Sequence, residues 1–182
     1  VLDAVPAAIA SLQRVLKPHP THVPTLRELA KLFLRESAWT EAAQLLAKVV
    51  QLAPDREILR EAHLELSAIY ERTDERPRAR VSILAVLAMD PQNRLALGRL
   101  AAIELRDGQI EKAIDAQRRR IGASLSPDDR AQSLAVAADL EERRGRRDLA
   151  QEALAEATAI EGPDGPAATR WRAMLDTLKG DE

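Results

Sequence analysis

Hydrophobic positions along this chain follow a helical spacing that repeats at a fixed interval. Five times an alanine is followed four residues later by a larger side chain, in the pairs Ala8/Leu12, Ala42/Leu46, Ala79/Ile83, Ala113/Gln117 and Ala150/Leu154. Residues four apart lie on one face of an α-helix. The alanines are 34, 37, 34 and 37 residues apart. Self-similarity at this spacing indicates stacked two-helix units rather than one globular core.

A second helical pattern precedes each of these alanines from the second onward. Its four copies share a small residue on the packing face: Leu26-x-x-Leu29-Ala30-x-x-Phe33, His63-x-x-Leu66-Ser67-x-x-Tyr70, Leu97-x-x-Leu100-Ala101-x-x-Glu104 and Leu134-x-x-Ala137-Ala138-x-x-Glu141. Turn residues follow it, at Gly108 and Gly145 and, at the equivalent positions, Ser37 and Asp74. Glycine ends helices by adopting the left-handed conformation, so each unit is predicted to turn here.

A helix-breaking residue follows each second helix, at Pro20, Pro54 and Pro91, and less regularly at Pro127 and Gly162-Pro163. Small residue, large residue and terminal proline in a unit of 34 resemble the tetratricopeptide repeat signature. The resemblance implies an all-α, right-handed superhelical solenoid of antiparallel helix pairs, with about ten helices. We expect a single domain over residues 1–182. It comprises a partial repeat (1–20, second helix only), complete repeats (21–54, 55–91, 92–125, 126–162) and a closing helix (163–182).

The two longer intervals place about three extra residues near 55–57 and near 124–129, both between units. Ser126-Pro127-Asp128-Asp129 has the features of a helix start: a capping serine, a proline in the first turn and acids near the positive end of the dipole. We therefore expect the extra residues to lengthen the following helix by a turn. The alternation gives a 71-residue period, consistent with duplication of a two-repeat block.

Composition narrows the classes of partner and the kinds of chemical site that this chain is expected to have. Lys and Arg number 27 against 29 Asp and Glu, so the net charge of −2 provides no general attraction to nucleic acid or an anionic membrane. No cysteine is present, which excludes disulfides and thiolate zinc sites. No apolar run approaches the ~20 residues of a membrane helix. Residues 1–3 show no basic leader, and we favour the cytoplasm over the periplasm while leaving the compartment open.

No known catalytic spacing occurs in the sequence, so we expect no enzyme activity, cofactor or metal. His19 and His22 are interpreted as turn residues, because zinc needs further ligands, and His63 as a packed helix residue. The runs Arg118–Arg120 and Arg143–Arg147 suggest an RNA contact. Acidic residues flank the second run and no aromatic is interleaved for base stacking, so nucleic-acid binding is not expected.

Four residues in the third and fourth units depart from the repeat pattern. Gln117 and Arg120 replace aliphatic residues, and Glu104 and Glu141 take the places of Phe33 and Tyr70. One hypothesis is a polar seam in which Arg120 pairs with Glu104 or Glu141, with Gln117 alongside. The alternative is a rotated helix that leaves the arginines in water and turns four apolar residues inward: Ile110, Ile114, Ile121 and Leu125.

The resemblance implies that first helices line a concave groove that holds a peptide. Residues off their packing face are the candidate partner-binding set: Arg27, Lys31, Leu34, Arg35, Leu64, Arg72, Leu95, Arg99, Leu105, Arg106, Val136 and Arg143. Leucines flanked by arginines suit a peptide with acidic groups. The arginine that recurs before each turn equally suits the negative end of a helix dipole. A chaperone-tail clamp is not expected, because the only asparagine is Asn93, in a turn.

These features predict a non-catalytic scaffold that binds a protein or peptide segment in the concave groove. The alternative is a regulatory or assembly domain of a larger enzyme or envelope-associated complex, with self-association through the solenoid ends. We expect a monomer or a weak homodimer through terminal helices, where Trp171 and Leu178 leave an incompletely covered face. No nucleic-acid partner and no direct membrane insertion are expected.

Overall fold

The computed structural model describes residues 4–180, and all of its regular secondary structure there is helical. The ten helices run in chain order: α1 Ala4–Leu16, α2 Val23–Arg35, α3 Trp39–Leu52, α4 Arg56–Arg72, α5 Arg76–Met89, α6 Arg94–Arg106, α7 Ile110–Gly122, α8 Pro127–Arg143, α9 Arg147–Glu161 and α10 Pro166–Gly180. Short turns join consecutive helices, and each helix packs on the next within its unit. The prediction of an all-α fold of antiparallel helix pairs is confirmed.

The chain divides into two compact units, Val1–Pro91 and Gln92–Glu182. In unit 1, which contains α1 to α5, the alanine series forms the centre of the core. Ala42 and Ala79 have no exposed surface, and neither do their larger followers Leu46 and Ile83. The first member of the series differs, because Ala8 in α1 is only half-buried. The small side chains allow the helices to approach closely, as the spacing predicts.

Unit 2, which contains α6 to α10, has the same construction with smaller apolar side chains. Ala113 and Ala150 are fully buried, and Leu154 follows Ala150 into the core. Trp171 and Met174 of α10 pack against this core and are half-buried. The side chain of Leu178, predicted to share the terminal face with Trp171, lies outside the described residues.

Turn residues adopt the conformations predicted for them. Gly108 and Gly145 have φ angles of 72° and 79°, and Ser37 and Asp74 occupy the same left-handed region with φ angles of 59° and 56°. A side chain with a Cβ is strained there, by roughly 1 kcal/mol. The turns of unit 1 are therefore built from less permissive residues than those of unit 2.

The extra residues of the longer intervals lengthen α4 and α8, as predicted. Each is 17 residues long, whereas α2 and α6 have 13. Asp55 caps α4 by accepting from the backbone N–H groups of the second and third helical residues, and Ser126 caps α8 by accepting from Asp129 N at 3.2 Å. In each added turn an arginine reaches the second helix of the same pair. Arg56 donates to the carbonyl of Met89, and Arg130 donates to Glu156 at 2.9 Å.

Candidate interaction surfaces

The first-helix face of unit 1, formed by the outward residues of α2 and α4, carries charges that are already paired. Arg27 of α2 forms an ion pair with Glu61 of α4, and Lys31 pairs with Glu28 at 2.7 Å. Glu65 lies beside them. Burial raises the pKa of its carboxyl group, and the positive charges of Arg27 and Lys31 oppose that rise. The central part of this face therefore offers little uncompensated positive charge to an acidic ligand, whereas Arg35 and Arg72 at the helix ends form no ion pair among the described side chains.

The other candidate residues of unit 1 lie in three different environments. Leu34 is half-buried and packs against the core, while Leu64 is half-buried on α4. Arg35 is exposed at the end of α2. Arg72, at the end of α4, places its guanidinium 4.8 Å from the centre of the Trp39 ring. That distance is within the range of a cation–π interaction.

The first-helix face of unit 2, formed by the outward residues of α6, α8 and α10, presents apolar and basic residues to solvent. Leu95 is 53% exposed and Val136 is 38% exposed. Arg106 and Arg143 are exposed at the ends of α6 and α8, and within residues 4–180 neither forms an ion pair. Arg99 is half-buried on α6. Exposed apolar groups beside uncompensated cations are the composition that favours a peptide with acidic residues.

The remaining candidate on this face, Leu105, contributes to packing. It is half-buried against a small core cluster that includes Ile114 and Leu140. On the neighbouring part of the face, Asp139 of α8 forms an ion pair with Arg170 of α10. This pair links two successive first helices, as the pair between Arg27 and Glu61 does in unit 1.

The predicted pairing of Arg120 with Glu104 or Glu141 is wrong. The guanidinium of Arg120 lies instead 3.9 Å from Asp129, which also forms an ion pair with Arg94. Burial, and then the charge of Arg94, lower the pKa of Arg120. Two partly buried cations thus share one carboxylate.

Arg120 reaches this different partner along α6. Gly98 lies on α6 four residues after Arg94, and a Cβ at position 98 would meet the Arg120 side chain at 3.5–3.8 Å. These are ordinary van der Waals distances, and Arg120 lies along α6 at this point and reaches Asp129. A prediction from repeat positions alone does not include this route.

Glu141 is nevertheless buried in a polar cluster, with 5% of its side chain exposed. Its carboxylate lies 2.9 Å from Arg118 and 2.8 Å from Arg146. Gln117 is also buried, and its Nε2 donates to the carbonyl of Ser133 at 2.7 Å. A polar seam therefore exists, but Arg118 and Arg146 supply its cations.

The alternative interpretation of α7, with four apolar residues turned inward, is wrong for Leu125. That leucine is 84% exposed and lies after the end of the helix. Ile114 is buried, as that alternative required, and Ile110 and Ile121 are half-buried. The helix therefore buries Ile114 together with Gln117, while Arg118 stays more than half exposed.

A cleft that the sequence analysis missed lies in unit 1, between α3 and α5 and above α4. Its volume is about 710 Å³, and Trp39, Tyr70 and Val81 are among its lining residues. Tyr70 belongs to the first-helix pattern, whereas Trp39 and Val81 lie outside the repeat signature, which records only residues that pack the helices together. A signal for the cleft exists in α5, where the outward positions Val81 and Leu84 are apolar.

The histidines do not assemble a metal site. His22 shares a hydrogen bond of 2.7 Å with Thr25, and His63 is half-buried with Nδ1 enclosed by the protein. Among the described residues no three His, Asp or Glu side chains are grouped closely enough to hold a metal ion. None of the helices in that part of the chain is both long and apolar enough to cross a membrane.

Solved structures of similar fold include several repeat proteins. MamA is 25% identical, with a TM-score of 0.71, and the match covers 84% of this chain and 86% of that one. YrrB, a TPR protein with an unusual peptide-binding site, is 13% identical with a TM-score of 0.72, over 94% of this chain and 85% of its own. A tetratricopeptide repeat protein from Parabacteroides merdae is 17% identical with a TM-score of 0.75, and the match covers 87% of this chain and 60% of that one.

Comparison with protein-family profiles gives the same family over most of the chain. No curated protein sequence matches. The family profile described as tetratricopeptide repeat matches residues 4–57 and 61–126, which together exceed half of the chain. The alanine series, the left-handed turns and the paired helices are features of that repeat. The chain therefore belongs to the tetratricopeptide repeat family.

Proposed function

We propose that this protein is a non-catalytic scaffold that binds a segment of a partner protein on the first-helix face of unit 2. Proteins of this family commonly mediate protein–protein interactions. The observation that carries the proposal is the exposure of Leu95 and Val136 on the same helix faces as Arg106 and Arg143, which lie eleven and seven residues further along α6 and α8. The preferred segment contains apolar residues for the first pair and acidic residues for the second pair.

The contrast with unit 1 supports this assignment. Arg27 and Lys31 are basic residues on its first-helix face, but Glu61 and Glu28 already neutralise them. A ligand carboxylate must displace these acids before it can pair with either cation. Arg106 and Arg143 form no ion pair within residues 4–180, so a ligand carboxylate meets no such competitor there. Arg35 and Arg72 of unit 1 are likewise without an ion pair among the described side chains, so the assignment to unit 2 rests on its exposed Leu95 and Val136, whereas Leu34 and Leu64 of unit 1 are half-buried.

A displayed random-peptide library tests the proposal with the complete chain as bait. Recovered peptides should be enriched in acidic and apolar residues. In solution, Leu95→Glu and Arg106→Glu should each weaken their binding at least about tenfold, equivalent to about 1.4 kcal/mol. Both substitutions change exposed side chains and should leave the far-UV circular dichroism spectrum unchanged.

The matched control is Leu125→Glu, which adds the same charge at a leucine that is 84% exposed and lies outside this face. It should leave affinity unchanged. If Leu95→Glu and Arg106→Glu behave like this control, the ligand does not occupy the first-helix face of unit 2. The proposal is then wrong.

A further inference from the structure

The cleft of unit 1 has the composition of a protein-binding surface. We name it the Trp39–Tyr70 cleft, after the two aromatic residues in its walls. Ala43 and Ala47 of α3 form one side, Val81 of α5 forms the other, and Leu66 of α4 lies at the base. The chain has only four aromatic residues, so two of them lie in this single feature. Aromatic side chains are enriched where proteins bind other proteins.

Helix α5, one wall of the cleft, is apolar on both of its faces. Ala79, Ile83 and Val86 are fully buried on the inner face, while Val81 is 66% exposed and Leu84 is 49% exposed on the outer face. A surface helix normally has a polar outer face. Contiguous exposed apolar residues beside a cleft are a feature of binding surfaces.

Positive charge borders the aromatic walls. Arg72 stacks on Trp39 at 4.8 Å, and Arg78 lies 5.7 Å from the Tyr70 ring centre. Arg78 pairs with Glu75, the only acidic residue among those that line the cleft, and the Arg78 side chain remains 68% exposed. Within residues 4–180, Arg72 forms no ion pair. The edge of the cleft therefore has an excess of positive charge, which complements acidic groups on a partner.

The walls determine which form of partner fits. Apart from Thr73 and Glu75 of the α4–α5 turn, the lining residues lie in helices, where most backbone groups are paired. The backbone N–H groups of Thr73 and Glu75 are also paired, since they donate to Ile69 and Tyr70. An extended peptide would find few backbone partners there. A helix satisfies its own backbone groups and needs only side-chain contacts. The volume of about 710 Å³ is enough to enclose several apolar side chains of such a helix.

We propose that the Trp39–Tyr70 cleft binds an amphipathic helix of a partner protein, with its apolar face against Trp39, Tyr70 and Val81 and an acidic residue near Arg78. This surface differs from the one proposed above, since it lies in unit 1 and the second helices α3 and α5 supply most of its lining.

A displayed library of helical peptides about 18 residues long, with one face randomised, is a direct probe of the cleft. This length is sufficient for a peptide helix to form on binding. The bait is the complete chain carrying Trp171→Phe, which leaves Trp39 as the only tryptophan. Recovered peptides should combine apolar residues at i, i+3, i+4 and i+7 with acidic residues on one edge. In solution they should shift the fluorescence emission of Trp39.

Substitutions identify the surface and the charge preference. Val81→Glu should weaken the recovered peptides at least about tenfold, and Leu125→Glu, a similarly exposed position in unit 2, should not. Arg78→Glu should weaken acidic peptides and strengthen versions in which lysine replaces glutamate. Proline at the centre of a recovered peptide should abolish its binding, because it breaks the helix.

Several results would overturn the proposal. These are recovery of no peptide that discriminates Val81→Glu from the control, recovery of basic peptides, and retained binding of the proline-containing peptides. Concentration-dependent self-association of the chain that Val81→Glu abolishes would identify a second copy as the occupant instead. Circular dichroism of each variant excludes unfolding as the cause of lost binding.

Discussion

Gln117 provides a direct test of how the polar seam contributes to stability. It occupies the position held by Leu46, Ile83 and Leu154 in the other complete repeats, and like them it is almost fully buried. Its side chain donates one hydrogen bond, to the carbonyl of Ser133 at 2.7 Å. That carbonyl lies within α8, so the helical backbone also supplies it with a donor. Replacing Gln117 by leucine therefore removes a polar group without isolating the carbonyl.

The expected magnitudes follow from that geometry. The lost hydrogen bond is worth about 0.5–1.5 kcal/mol, and burial of an aliphatic side chain in place of an amide offsets it. Gln117→Leu should leave the free energy of unfolding unchanged or raise it by about 1 kcal/mol. Gln117→Ala should lower it by about 2–4 kcal/mol, because it leaves a cavity. Gln117→Glu should be at least as destabilising, because it buries a negative charge and replaces the amide donor by a carboxylate oxygen against the Ser133 carbonyl.

Urea unfolding followed by far-UV circular dichroism measures these differences, and amide hydrogen exchange in α7 and α8 assigns them to unit 2. The informative result is the order of stability: leucine equal to or above glutamine, then alanine. If Gln117→Leu is as destabilising as Gln117→Ala, the interaction with Ser133 is worth far more than one hydrogen bond. The predicted order of stability is then wrong.

Three further predictions concern single sites. Gly98→Ala should raise the free energy of unfolding by about 0.5–1 kcal/mol in a thermal melt, because alanine favours the helix and the new Cβ meets Arg120 only at van der Waals distance; destabilisation would contradict this. Arg146→Ala should lower the free energy of unfolding of the wild type by at least about 1 kcal/mol more than it does in the Glu141→Gln variant, because the buried Glu141 carboxylate needs both cations. A double-mutant cycle that shows no coupling between the two positions would contradict this. Burial lowers the pKa of His63 below its usual 6.5, so the unfolded chain binds the proton first as the pH falls. Stability should therefore decrease below about pH 6.5, and His63→Leu should remove part of this decrease in urea midpoints.

Much of the fold could be predicted because each repeat uses the same residues for the same physical task. Ala42 and Ala79 are buried since only a small side chain fits between close helices. Asp74 marks a left-handed turn because a neighbouring repeat has glycine at the same position. Ser126 identifies the start of α8 through its own capping chemistry. In each case the local pattern and the tertiary environment agree.

The partners of long charged side chains were harder to predict. Arg120 reaches Asp129 along α6, past Gly98, and that route depends on a neighbour outside the helix of Arg120. Arg27 was assigned to ligand binding from its position on the helix, whereas Glu61 of the next first helix pairs with it. The position in the repeat specifies the direction of the Cα–Cβ bond, but the guanidinium group of an arginine lies several rotatable bonds beyond the Cβ, so its partner is not specified. The charge available to a ligand is therefore a property of the assembled structure.

The added turn at the start of α4 and α8 determines how this array can be enlarged by design. Four additional residues extend each of these helices by about 6 Å. They include residues that contact the second helix, such as Arg56, which donates a hydrogen bond at the end of α5. A consensus sequence built from one 34-residue repeat would lack the added turn and the contact that it makes with the second helix. The module to copy is the pair of repeats in residues 21–91, so an engineered array from this chain should grow two repeats at a time.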